Sequence, residues 1–110
     1  MVRIGSIVLN VSDTRRAGAF WAGALGYVPK ADNPAFLAPA DGDGTPIHLD
    51  DEDRTHLDLR AEDEAEQLAE VERLVSLGAT RVDWVYPEDA DFVVLADTEG
   101  NLFCVIDASH

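Results

Sequence analysis

Residues 97–105 read Asp-Thr-Glu-Gly-Asn-Leu-Phe-Cys-Val. Gly100 is free to take a positive φ, so Asp97 to Asn101 is expected to form a tight turn. Leu102 to Ile106 is an apolar run of strand length, and Phe92 to Ala96 before the turn is another. The two predict a hairpin. Cys104, the only cysteine in the chain, sits in the middle of its second strand.

Working outward from this hairpin, the rest of the chain divides into similar short elements. Thr55 to Arg60 alternates polar and apolar residues and predicts a half-buried strand. Glu62 to Leu77 places Ala65, Leu68, Val71, Leu74 and Val75 on one helical face, with acidic residues in the first turn where the helix dipole favours them. Gly78 closes that helix, and Thr80 to Tyr86 reads as a strand with Val82, Trp84 and Tyr86 on one face. Upstream, Ile4 to Val11 is a β-branched apolar strand, and Ser12-Asp13-Thr14 offers helix caps. Ala17, Phe20, Trp21, Ala24 and Leu25 then recur at helical spacing, and Gly26 ends the run. Strands follow from Tyr27, over Ala35 to Ala38 and over Thr45 to Leu49, separated by Asn33-Pro34 and the loop Asp41-Gly42-Asp43-Gly44.

The order strand, helix, Leu-Gly, three strands therefore occurs twice. The closing glycines Gly26 and Gly78 lie 52 residues apart, and Leu9 and Leu59 in the opening strands lie 50 apart. This period predicts a duplicated βαβββ unit. No Pro/Gly/Ser-rich linker separates the halves, so one domain over 1–110 is expected, with modules at about 3–51 and 54–108.

The 110 residues suffice for one real core. With 22 acidic against 8 basic residues the formal net charge is −14, which disfavours phosphate backbones and anionic membranes. No nucleic-acid or membrane partner is expected. No apolar stretch approaches the ~20 residues of a membrane span. A lone cysteine cannot form an intramolecular disulfide or a cysteine-rich zinc site, and it fits a reducing cytoplasm. The acidic runs Asp50 to Asp53 and Glu88 to Asp91 read as solvated faces.

Three segments resemble the vicinal oxygen chelate superfamily, which includes glyoxalase I, extradiol dioxygenases, fosfomycin-resistance enzymes and bleomycin-binding proteins. Ile7 to Asp13 is similar to the family's opening strand and cap, and His56 to Leu59 to its second-module opening strand. Asp97 to Val105 is similar to the Asp-Pro-Glu-Gly-Asn-x-Phe-Cys-Val ending of the glyoxalase-like subgroup. The resemblance implies an α+β fold: two βαβββ modules whose strands form a curved, cup-shaped mixed sheet with helices on the outer face. It also implies a homodimer, with modules paired within one chain or swapped between two.

Metal-using relatives take four side chains from the first and last strands of the modules. By position these places fall on Ser6, on His48 or Asp50, on His56 and on Cys104. Ser6 is a poor divalent-metal ligand, and Cys104 stands where relatives keep a glutamate. The inherited site therefore reads as degraded. A Cys/His/His set could still hold zinc.

Each candidate also has a plain reading. Cys104 has apolar neighbours and suits core or pocket-wall packing, and the acidic surroundings disfavour a catalytic thiolate. His56 shares a strand face with Asp58 and Arg60; it is either a strand histidine bonded to a neighbour or a pocket-floor acid/base group. Trp21 reads as core, whereas Trp84 and Tyr86 could line the cup or pack under a helix.

The expectation is a small-molecule binding protein holding an apolar or aromatic compound. His56, Trp84, Tyr86, Cys104 and Ser6 are its candidate wall, and no cofactor is required. The alternative is a lyase, isomerase or dioxygenase using a divalent metal held by His56, His48 or Asp50, with Cys104 near. A third reading is an interaction module whose acidic surface meets a basic partner.

Overall fold

The computed structural model describes residues 1–110. The chain has an α+β fold in which the sequence βαβββ occurs twice. It groups into two compact units, Gly5–Thr55 and His56–His110, the latter together with Met1–Ile4.

In the first unit, β1 (Arg3–Asn10) leads to α1 (Thr14–Leu25), then β2 (Tyr27–Lys30), β3 (Asn33–Pro39) and β4 (Ile47–Asp50). β2 and β3 are antiparallel, β3 and β4 are antiparallel, and β4 returns parallel to β1 with Leu9 opposite Leu49. The helix starts where Asp13 can cap it: its carboxylate accepts the Arg16 N–H at 2.9 Å. It stops at Gly26, whose φ of 71° is left-handed. Alternate strand residues Leu37, Ile47 and Leu49 are buried against Ala17 and Trp21 of α1. Trp21 is therefore core packing, as its helical position suggests.

The second unit repeats the plan with β5 (His56–Ala61), α2 (Glu64–Ser76), β6 (Thr80–Arg81), β7 (Phe92–Ala96) and β8 (Leu102–Asp107). β8 lies between β5, parallel to it, and β7, antiparallel to it. Asp63 caps α2 as Asp13 caps α1, accepting the Glu66 N–H at 2.8 Å. Ala61, Val71, Leu95 and Val105 form the buried centre. Within this centre the Gln67 amide donates to the carbonyls of Asp91 and Val105 at 3.0 and 2.9 Å. The hairpin turn is built around Asp97. Its carboxylate accepts the Asn101 side-chain amide and the N–H groups of Asn101 and Glu99, and these bonds hold its pKa below the usual carboxylate range.

One element differs from the sequence reading. The strand expected over Thr80 to Tyr86 ends at Arg81, and residues 82–91 are irregular. β6 pairs only with Ala96 and Leu95 of β7. Beyond that point the Tyr86 hydroxyl, not a strand backbone, accepts the Val94 N–H at 2.8 Å. Pro87 has no N–H to offer a ladder, and Asp89 takes a positive φ of 62°. The apolar alternation of Val82, Trp84 and Tyr86 is thus carried by a loop. No helix is long and apolar enough to cross a membrane.

Candidate functional site

Strand registers divide the second unit's sheet into two faces. Ala61 and Val105 pack with Val71 of α2, and alternation puts Leu57, opposite Phe103, and Leu59, opposite Val105, on that same face. The residues between them, His56, Asp58 and Arg60 on β5 and Cys104 and Ile106 on β8, must face the other way. Asp58 lies directly across from Cys104, and Cys104 directly across from Val94 of β7.

On this face His56 is nearly covered, with 9% of its side chain exposed, and its Nε2 lies 3.2 Å from Asp58 Oδ1. The donor atoms of His56, Asp58 and Cys104 all lie within 4.8 Å of one another, and all three residues are half-buried. The wall beside them is apolar: Val94 is 3% exposed, and Leu102, Ile106 and Phe92 are half-buried. Arg60 stays at the exposed rim, 3.8 Å from Glu62. An imidazole–carboxylate pair beside a thiol, set in an otherwise apolar surface, can orient a polar group of a ligand, hold a soft divalent cation or move a proton.

The structure brings together His56 and Cys104 from the sequence candidates. It adds Asp58 as the third donor. Its strand face was legible in the alternation around His56, but not its nearness to the thiol, which depends on β5 pairing with β8. Ser6, His48 and Asp50 belong to the Gly5–Thr55 unit. Ser6 is buried on β1. His48 pairs across β4 with Phe36, their rings 5.8 Å apart, and Lys30 lies over the same Phe36 ring. Asp50 serves the turn after β4, its Oδ1 accepting the N–H groups of Glu52 and Asp53 at 2.8 Å each. The registers also relate the units internally: Leu9 faces Leu49 as Leu59 faces Val105, so His48 is the counterpart of Cys104.

The two aromatic candidates lie on the 82–91 loop. Tyr86 holds the edge of β7, with its ring 5.4 Å from that of Phe92. A hollow of about 480 Å³ there is lined by Tyr86, Phe92, Val94, Arg81, Val82, Pro87, Ala90 and Val93. Trp84 does not line it and is 40% exposed.

Residues 6–106 match the model of the glyoxalase-like domain family. The chain belongs to that family. It is thereby a member of the vicinal oxygen chelate superfamily. Similar solved structures include a glyoxalase-related enzyme from Fulvimarina pelagi, at 18% identity and a TM-score of 0.42, with 94% of this chain and 86% of that one covered. The antibiotic binding protein TnmS3 from Streptomyces sp. CB03234 has 22% identity and a TM-score of 0.40 over 96% and 95%. A glyoxalase/bleomycin resistance protein/dioxygenase superfamily member from Sphaerobacter thermophilus has 19% and 0.38 over 96% and 97%. No curated protein matches the chain. At these identities and scores, membership in the glyoxalase-like family rests on the match across residues 6–106.

Proposed function

We propose that this glyoxalase-like chain is a small-molecule binding protein whose ligand is an apolar or aromatic compound seated against the His56 face. The observation that carries this reading is the nearly covered His56, paired with Asp58, beside the apolar Val94, Cys104 and Ile106. Small-molecule sites have this make-up: an apolar lining fixes affinity and a few polar groups fix orientation. Here the imidazole would meet one polar atom of the ligand, and Asp58 would hold the ring in place. A homodimer in a reducing compartment completes the proposal, the first from the family resemblance and the second from the single thiol.

The test is a thermal-shift and tryptophan-fluorescence screen of planar apolar compounds, followed by titration of the best binder. His56→Ala is expected to weaken its binding at least tenfold, about 1.4 kcal/mol or more. Unchanged affinity in a folded His56→Ala protein would remove this face from the site.

A second reading rests on the donor set. Thiolate, imidazole and carboxylate together suit a zinc-like ion, and His56, Asp58 and Cys104 would hold it. Such an ion would supply Lewis-acid polarisation of a substrate oxygen. Elemental analysis of protein purified without a metal column, with Zn²⁺, Mn²⁺, Fe²⁺ and Ni²⁺ titrated against melting temperature, tests it. A stoichiometric ion lost in Asp58→Asn and Cys104→Ser supports this reading; no ion and no stabilisation rejects it.

A further inference from the structure

We infer that Cys104 is a nucleophile, with His56 as its base and Asp58 as the residue that positions that base, and that it adds to apolar α,β-unsaturated carbonyl compounds. The inference deepens the binding proposal and rests on it, because the substrate must first occupy the same face.

The argument begins with the cluster. A thiol needs a base within reach and the base needs an orienting partner. Asp58 supplies the partner at 3.2 Å from His56 Nε2. The thiol sulfur lies within 4.8 Å of a donor atom of each group, and catalytic hydrogen bonds are often longer than ideal before substrate binds. The acidic neighbourhood disfavours an isolated thiolate, and the imidazolium that forms beside it offsets that charge. Proton transfer from Cys104 to His56 makes a thiolate and an imidazolium together, so the net charge of the cluster stays the same. Asp58 then stabilises the imidazolium.

The choice of substrate follows from the backbone. Cys104 lies on β8, which is paired with β5 on one side and β7 on the other. Backbone N–H groups around the sulfur are committed to these ladders and cannot gather on a tetrahedral oxyanion, as acyl transfer requires. Conjugate addition has no such intermediate. His56 takes the proton of Cys104, and the sulfur lone pair forms a bond to the β-carbon. The C=C π pair moves to the α-carbon as an enolate, which takes the proton back from the imidazolium. Nothing leaves, and no oxidant or reductant is needed. The neighbouring Val94, Leu102 and Ile106 suit an apolar acceptor.

The single cysteine makes the experiment unambiguous, since any thiol adduct seen by intact-mass spectrometry is at Cys104. The full chain in EDTA is incubated with benzylideneacetone, with N-acetylcysteine as the free-thiol reference and benzylacetone as the saturated competitor. Saturable adduct formation on the order of 100-fold faster than the free thiol is expected. His56→Gln should lose most of that advantage. Asp58→Asn should lower the limiting rate while leaving the half-saturating concentration unchanged, a split that a merely structural role would not give; melting curves establish that both variants are folded. A wild-type rate no greater than the free thiol, or an unchanged rate in folded His56→Gln, overturns the inference. If benzylacetone still protects Cys104 from iodoacetamide in that case, the binding proposal survives alone; if it does not, neither holds for this compound class.

Discussion

Glu70 shows how far one residue's setting can depart from its sequence reading. It sits in α2 among other acids and would pass for a solvated side chain. Instead it is 6% exposed, accepts two bonds from the Arg73 guanidinium and accepts the Val2 N–H at 2.6 Å. The Arg73 bonds first, then that of Val2, pull its pKa down to about 2 from an ordinary 4.5. A carboxylate lowered in the folded state adds stability above its ordinary value, and that stability drains away as pH falls from 4.5 toward 2. Melting temperature should therefore decline over that window. Glu70→Gln should flatten the decline and cost about 2 kcal/mol at neutral pH. An equally steep acid decline in the variant would assign it to other carboxylates. Asp58 was equally hidden in the sequence: its strand face could be read from alternation, but its nearness to Cys104 is a property of pairing between distant segments.

At the scale of elements, the two glycines that close the helices look interchangeable in sequence and are not. Gly26 has φ 71°, and a Cβ there would meet nothing within 4 Å. Gly78 has φ 120°, and a Cβ there would come within 2.9 Å of the Thr98 methyl group. Gly26→Ala should therefore cost about 1–2 kcal/mol for the left-handed backbone alone. Gly78→Ala should cost more, by combining a backbone region unsuited to alanine with displacement of Thr98. Chemical denaturation of both variants checks the order, and equal losses would show that Thr98 yields freely. Elements with strong local signals, such as the capped helices and the Asp97 turn, were legible in the sequence because neighbours a few residues apart determine them. The strand expected through Tyr86 was not, because a strand needs a partner as well as a pattern. Beyond Arg81 the edge of β7 is met by a phenol.

For the whole molecule the dominant quantity is charge. A net −14 on 110 residues repels itself, and few of the acids have a nearby cation, since only 8 basic residues exist. Added salt should screen that repulsion within about 10 Å at 0.1 M and raise the melting temperature by several degrees. Calorimetry from low to moderate NaCl measures this, and a flat or falling curve would mean the ion pairs Arg3–Glu62 and Arg81–Glu72 outweigh the general repulsion. The same acidity disfavours an anionic ligand for the site proposed on the His56 face.

The hydroxyl of Tyr86 on the Val94 N–H has a meaning beyond local architecture. An unpaired strand edge is a template on which another chain can extend a sheet, and repeated pairing of this kind ends in fibrils. By occupying that N–H with a side chain in place of a strand, the loop denies a stray chain part of the hydrogen-bonding row it would need.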